Sequence, residues 1–496
     1  MTDGFALKLV TLRDYISTRI HENLSGQTGA VAAALLVGDH AGLSEQTNDL
    51  LRETGLAHLL AISGLHMGLV AGTIFFLVRA GLAAVLTFAL HLPLKKISAC
   101  IAFTAAFAYL LLAGAPVPTQ RAFIMYGIML GAILLDREPV SLRLVAAAAL
   151  SVVLLHSFSV LGPSFQMSFV AVVALVSVYE WWSTRRAISG RDRILGGDSV
   201  LSSCLTYLFG VIVTSLIVSI TTAPIVAYHF QQVPTLGALA NVFAIPITAF
   251  ITMPAGIVAL LCVPFGGEAA ALWVMGWGID LTLWLAEFVA GSGLSAFKTA
   301  AFGKAGLVLA LAGFCWLAIW RRGWRYLGAV PIVAACVLWG SERSPDILVS
   351  EDGKLIAANV DQHGQVLSDG TSGKFVRIVW RQRLNVSDER YTFSSVETAP
   401  DARSGCDDRG CVLTIKGRSV AFPSSSEALG EDCGRADAVV WPYRAPNFCK
   451  PPLFLIDGQV IRRAGGLAIW VGPDGAELLS VNSERGERPW TITSSE

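Results

Sequence analysis

The chain has 496 residues, 54% of them hydrophobic and only 15% charged, with a mean hydropathy of +0.59. A soluble domain carries about 25% charged residues, so this composition excludes a wholly soluble protein. The 37 basic and 37 acidic residues cancel. That removes any global basic signature for nucleic acid and leaves only the placement of charge to be read.

Met1 to Asn23 is polar and mixed in charge, without the apolar stretch of a secretory signal. Residues 1–56 as a whole read as amphipathic helices lying outside the core. Ten apolar stretches follow: Ala57–Val78, Ile97–Leu112, Ala122–Leu135, Leu144–Val160, Phe165–Tyr179, Leu205–Tyr228, Gly237–Val263, Ala269–Val289, Lys304–Trp320 and Tyr326–Trp339. A bilayer core needs about 20 apolar residues per helix. The 69 residues from Ser199 to Gly267 contain no Asp, Glu, Lys or Arg, which is room for several spans. Pro246 and Pro254 predict that 237–263 is broken, doubled or kinked. Residues 80–92 read as an interfacial hairpin or a half-span.

Basic residues cluster at Arg79, at Lys95 and Lys96, at Arg137 and Arg143, at Arg185, Arg186, Arg191 and Arg193, and at Arg321, Arg322 and Arg325. All five clusters fall on one side if 237–263 crosses once in net terms. The positive-inside rule makes that side the cytoplasm. The N-terminal segment and the C-terminal region then both lie outside.

Composition shifts after about residue 340. Residues 341–496 hold 22 acidic and 18 basic residues, with short apolar runs such as 346–349 and 376–380 that read as strands of one soluble domain. The fold class is therefore a mainly α polytopic membrane protein of roughly ten helices followed by a small β-rich α/β soluble domain. The boundaries fall at 1–56, 57–340 and 341–496. Four cysteines lie in the tail: Cys406, Cys411, Cys433 and Cys449. An oxidising compartment favours two disulfides in one of three pairings. The rival, a structural zinc site, suits these spacings poorly.

Residues 57–68 read Ala-His-Leu-Leu-Ala-Ile-Ser-Gly-Leu-His-Met-Gly. Gly114-Ala115-Pro116-Val117-Pro118-Thr119-Gln120-Arg121-Ala122, Phe165-Gln166-Met167-Ser168-Phe169 and Asn241 through Pro246 follow in order. Together these resemble the motifs of ComEC-type competence proteins, inner-membrane channels for DNA uptake in natural transformation. The resemblance covers roughly residues 25–340. It implies a bacterial plasma-membrane conduit for single-stranded DNA, working with a cytoplasmic ATPase or helicase and a periplasmic DNA-receptor protein. Family members usually carry further spans and a small OB-like outer domain before this region, so an N-terminally shortened chain is expected. Many also end in a metallo-β-lactamase-like domain with a His-x-His-x-Asp-His metal motif. Only His363 of the eight histidines lies in the tail. Where the family has Gly-Asp and His-His-Gly-Ser, this chain has Phe422-Pro423 and Tyr443-Arg444-Ala445-Pro446. The tail is expected to be a degenerate form of that domain, without metal or cofactor.

The candidate residues for a DNA path are His58, Ser63, Gly64, His66, Arg121, Gln166, Ser168, His229, Asn241 and Pro246. His58 and His66 are eight residues apart, near one face of a single helix. Gly64, Gly68 and Gly72 recur every four residues, the spacing that lets another helix approach closely. Arg121 after two prolines either anchors at headgroups or meets phosphates sequence-independently. Gln166 and Ser168 lie in an uncharged stretch from Leu144 to Tyr179 and are read as interhelical hydrogen-bonding groups or path lining. Asn241 before Pro246 marks either a broken helix lining the path or a kink. Tyr109, Tyr126, Tyr228 and Phe230 are read as belt aromatics in preference to stacking surfaces for bases.

No phosphate-cradling Gly-x-x-x-x-Gly-Lys-Ser/Thr loop is present, so the chain shows no ATP chemistry of its own. The expectation is a passive channel and not an enzyme. Two alternatives stand beside it: a shortened remnant that inserts but does not conduct, and an intramembrane hydrolase using Ser63 with His66 or His229 as base.

Overall fold

The computed structural model describes residues 3–60, 62–85, 92–189, 200–293, 295–299, 302–339, 343–360, 363–368, 373, 376–377, 379–380, 404–407 and 409–486. The chain divides into two compact units, Met1–Trp339 and Gly340–Glu496. Arg191 and Arg193 of the basic clusters lie outside the described residues.

The first unit is helical. Among the described residues, seven helices are long and apolar enough to cross a membrane: Gly64–Ala84, Leu94–Leu112, Val117–Leu134, Pro163–Thr184, Thr206–Phe230, Gly237–Phe265 and Ala269–Ala290. A helix satisfies its own backbone polar groups, which is why such stretches take this form in lipid. Four apolar helices are shorter: Gly26–Val37, Leu142–Leu155, Lys304–Ile319 and Gly323–Val337. At about 1.5 Å per residue, these fall short of the roughly 30 Å hydrocarbon thickness. Large apolar side chains such as Phe76, Leu154, Phe250 and Trp273 are exposed on the outside of the bundle, the arrangement expected of a surface solvated by lipid.

Two sequence expectations are corrected here, and a third is narrowed. Residues 1–56 do not all lie outside the core. Gly29 to Val37 are buried without interruption, and Val31, Leu35 and Leu36 pack with Ala240, Ala244, Leu272, Met275 and Ile279. A run of Gly, Ala, Val and Leu lets this short helix be enclosed on every side. Second, Ala57–Val78 is not one span. A short helix, Ala57–Leu60, ends before Ser63, which caps the separate helix Gly64–Ala84. His58 and His66 therefore share no helix face. Third, the Gly237–Ile247 helix passes through Pro246 without breaking and continues through a π turn, Thr248–Thr252, into Met253–Cys262. Each proline deprives a carbonyl one turn back of its donor, and the widened turn absorbs the mismatch.

Two short strands, β1 (Gln232–Pro234) and β2 (Ala296–Lys298), pair antiparallel between helices of this unit.

The second unit holds two five-stranded sheets. One has the order β10-β9-β8-β7-β6, with β6 Ser404–Asp407, β7 Gly410–Ile415, β8 Arg418–Pro423, β9 Ala438–Val440 and β10 Phe454–Ile456. The other has the order β12-β11-β3-β4-β5, with β3 Ile347–Val349, β4 Leu355–Val360, β5 His363–Ser368, β11 Leu467–Val471 and β12 Ala476–Ser480. Ile347, Val349, Ile356, Leu413, Phe422, Val440 and Ile469 from both sheets form one buried core, as in a two-layer packing of inward-facing strand residues. The described residues of the run at 376–380 are not in a strand. Val376, Arg377, Val379 and Trp380 are helical. Val376 and Trp380, one turn apart, both pack on Leu348, Leu355 and Ala357.

Candidate functional site

The polar groups of the first unit gather where helices begin and end. Ser63 caps the Gly64–Ala84 helix. His66 Nδ1 accepts the Ser63 backbone N–H at 3.2 Å and lies 3.1 Å from Ser63 Oγ. An Nδ1 that accepts leaves the hydrogen of the neutral ring on Nε2. That Nε2 is buried without a partner among the described residues, and His66 is fully buried. Ser63 and His66 do meet, through capping geometry. No carboxylate pairs with the ring among the described residues.

The proline turn sits beside this cap. Gly114 and Ala115 both have positive φ, at 76° and 49°, and Pro116 precedes the Val117–Leu134 helix. Thr119 Oγ1 donates to Ile62 O at 3.1 Å, which ties the turn to the residue just before Ser63. Arg121 lies one turn into that helix, only 5% exposed. Its Nε is buried without a partner, and no carboxylate pairs with it among the described residues. A buried cation without a counter-charge costs several kcal/mol even after relaxation. Such a group is either hydrated or completed by an anion.

Two glutamines fix two histidines nearby. Gln120 Nε2 donates to Ala115 O at 2.7 Å, and its Oε1 faces His156 Nε2 at 2.8 Å. Gln166 Nε2 donates to Val160 O at 3.1 Å, and its Oε1 faces His229 Nε2 at 3.1 Å. In both pairs a backbone carbonyl orients the amide, so the imidazole Nε2–H is the donor. His156 and Gln120 were not among the residues singled out from the sequence. Both lie beside motif residues, His156 within the same uncharged stretch as Gln166 and Gln120 next to Arg121, and that adjacency is the signal available. Ser168 is half-buried two residues beyond Gln166.

The remaining candidates are more dispersed. His58 is exposed and bonds Gly55 O at 3.1 Å through Nδ1. Asn241 Oδ1 is buried and unpartnered among the described residues, and Pro246 lies half-buried in the same helix. The glycine repeat is not a continuous contact stripe. A Cβ at Gly68 would overlap the Tyr126 hydroxyl, whereas one at Gly64 or Gly72 would meet nothing within 4 Å. Tyr109 is buried, with its hydroxyl donating to Leu35 O at 2.8 Å, so its ring is a packing element.

In the tail, Cys433 and Cys449 form a disulfide with Cα atoms 5.2 Å apart. Cys411 is also disulfide-bonded. The strand register sets it opposite Cys406, whose side chain lies outside the described residues. Among the described residues no group of three or more His, Cys, Asp or Glu is placed to hold a metal.

The profile of the competence protein family matches residues 35–324, which includes every membrane-unit motif above. The chain belongs to the competence protein family. As a ComEC-type member it is 24% identical to ComE operon protein 3 of Bacillus subtilis over 291 residues, 58% of this chain and 33% of that protein. It is 28% identical to competence protein ComA of Neisseria gonorrhoeae over 258 residues, 51% of this chain and 33% of the relative. It is also 28% identical to Recombination protein 2 of Haemophilus influenzae over 301 residues, 58% and 34% of the two chains. The chain thus spans about a third of the length of these relatives. No solved structure matches it significantly.

Proposed function

We propose that this chain is a passive conduit for single-stranded DNA across the bacterial plasma membrane in natural transformation, and not an enzyme. The observation that carries this is Arg121: a nearly buried guanidinium without a carboxylate among the described residues, at a proline turn in a competence-family membrane unit. A fixed guanidinium pairs with phosphate whatever the base, which is the recognition a general DNA path needs. His66, His156 and His229 add ring groups at the ends of three other helices of this unit. The name of competence protein ComA places that relative in competence, and this chain is read by extension.

Energy would come from a cytoplasmic ATPase or helicase, and delivery from an outer DNA-receptor protein. The five basic clusters support a cytoplasmic position for one set of loops. The Cys433–Cys449 disulfide supports an oxidising compartment for the tail. Its paired five-stranded sheets support the reading of a degenerate metallo-β-lactamase-like domain.

A second reading rests on one contact. Ser63 Oγ and His66 Nδ1 are 3.1 Å apart, within reach for a nucleophile and its base. A fluorophosphonate probe that labels Ser63, with labelling lost in His66→Ala, would favour the hydrolase instead.

The test of the main reading is uptake of labelled DNA in cells that depend on this protein. Arg121→Ala should abolish import at normal membrane levels, and Arg121→Lys should recover part of it by keeping charge without the planar fork. Normal import by Arg121→Ala removes the argument. A wild-type chain that inserts but supports no import is a non-conducting remnant.

A further inference from the structure

Strands β9 and β10 are joined by a loop that departs from the rest of the tail. From Ala438 to Ile456 there is no Asp or Glu, while Arg444 and Lys450 are both present. Neither cation has a salt-bridge partner among the described residues, and both are exposed. Tyr443 is 62% exposed and Phe448 is 69% exposed; they are the two large exposed aromatics among the described residues of this unit.

The loop is rigidly held. The Cys433–Cys449 disulfide staples it to the Ser426–Arg435 helix. Trp441 N–H donates to Ile456 O at 2.8 Å, Gly458 N–H donates to Tyr443 O at 2.8 Å and Cys449 N–H donates to Pro446 O at 3.0 Å. Pro442, Pro446, Pro451 and Pro452 restrict it further. Buried Trp441 packs edge-on against Tyr443, with ring centroids 5.3 Å apart and planes at 63°. The Tyr443 ring is thus braced from below and open above. A ring presented this way loses little freedom when something stacks on it.

We propose that the loop 441–452 is a binding surface for single-stranded nucleic acid. Tyr443 and Phe448 stack on unpaired bases, and Arg444 and Lys450 meet the adjacent phosphates. Stacking faces interleaved with cations are the chemistry that holds single strands with little sequence preference, and the neighbouring Asp457 carboxylate is turned to the backbone N–H groups of Ala445, Gln459 and Val460. A duplex hides its base faces and is a poorer ligand for such rings. This inference rests on the import reading for the source of the strand.

The test is fluorescence anisotropy of labelled oligothymidylate with the full chain in nanodiscs of neutral lipid, with a duplex of equal length for comparison. Tyr443→Ala with Phe448→Ala should weaken single-strand binding about tenfold or more, while Tyr443→Phe with Phe448→Tyr should bind as wild type. Arg444→Gln with Lys450→Gln should reduce the slope of log affinity against log salt by about 1.4, two phosphates' worth for a single strand. Photocrosslinking of a 5-iodouracil strand to the wild-type chain should mark a peptide containing Tyr443 or Phe448, a readout independent of whether variants fold. If the chain binds the strand but crosslinks fall only in residues 1–339, or the alanine pair binds normally, the surface is not a nucleic-acid site and the import reading stands. If the wild-type chain binds no single strand at all, both fall together.

Discussion

Gln166 holds His229 across two helices, its Oε1 3.1 Å from the imidazole Nε2 and its Nε2 tied to Val160 O. The bond joins the Pro163–Ser189 helix to the far end of the Val200–Phe230 helix. Interhelical hydrogen bonds in membranes average about 0.6 kcal/mol, so Gln166→Leu should lower stability by about 1 kcal/mol or less. A thermal melt in detergent should show a small shift, and His229→Ala should add little in the Gln166→Leu background. A large, additive loss from both would mean the two side chains act separately.

Gly68 and Tyr126 define the close approach between the Gly64–Ala84 and Val117–Leu134 helices, since a Cβ at 68 would meet the Tyr126 hydroxyl and ring. Gly68→Ala is expected to destabilise by about 1–3 kcal/mol, the usual cost of overpacking. Gly72→Ala has open space and should be near neutral. Tyr126→Leu should relieve Gly68→Ala, so a double-mutant cycle in detergent should show favourable coupling. Additive effects would show that the contact is not the reason for glycine at 68.

The membrane unit was legible in the sequence because lipid leaves the backbone so few solutions. A long uncharged apolar run must be helical, and the seven long helices follow those runs. The shorter features obeyed weaker rules. Gly26–Val37 is too short to register as a span and too uniformly apolar to show a face, so its burial depends on partners far along the chain. The break before Ser63 was masked by Ala57 to Gly68 having no proline and only one polar residue between its histidines. The run 376–380 is rich in β-branched residues, yet packing of Val376 and Trp380 on Leu348 and Leu355 overrides that propensity. The contact of Gln120 with His156 joins residues 36 positions apart, and no local pattern announces it.

Asp437 gives the tail a defined acid sensitivity. Its carboxylate accepts the Ser419 N–H and the Ser419 hydroxyl, each at 2.8 Å. These bonds hold its pKa below the usual carboxylate value, with Arg418 assisting. A depressed folded pKa contributes stability that is present above the unfolded value of about 3.9 and is lost as pH falls through the folded one. Urea unfolding of residues 340–496 should therefore show stability falling below about pH 4, with a shallower fall in Asp437→Asn. An identical acid profile in the variant would assign the loss to other carboxylates.

The disulfide between Cys433 and Cys449 closes a loop with a sequence separation of 16. In the chain-entropy account a loop of this size contributes about 3 kcal/mol. Replacing both cysteines by alanine should lower tail stability by roughly that amount, read by denaturant midpoint at constant slope. Alkylation without reduction, followed by mass spectrometry, should find this pair linked in protein taken from membranes. The same experiment should find Cys315 and Cys336, which are free, modified once the membrane is dissolved. A fully alkylated Cys433 would place the tail in a reducing compartment.

Topology ties these expectations together. Arg79, Lys95 with Lys96, Arg137 with Arg143, and Arg321 with Arg322 and Arg325 lie near helix ends, while the turns at 113–116 and 156–162 carry no Lys or Arg. The Gly237–Phe265 segment is one helical passage with a π turn at Thr248–Thr252, and not two. With a single passage there, and with the shorter helices Leu142–Leu155, Lys304–Ile319 and Gly323–Val337 also crossing, the basic ends would share one face, which the positive-inside rule would assign to the cytoplasm. On that orientation Ser63, Arg121, His156 and Gln166 would sit at helix ends on the opposite face, where an incoming strand would arrive. Alkaline phosphatase fused after Trp339 should be active, and a fusion after Arg137 should be inactive, with a cytosol-active reporter giving the converse. Phosphatase activity after Arg137 would invert the orientation and move the Arg121 turn to the cytoplasmic mouth. Arg121→Ala would then be expected to slow release of the strand inside the cell while leaving its capture outside unchanged.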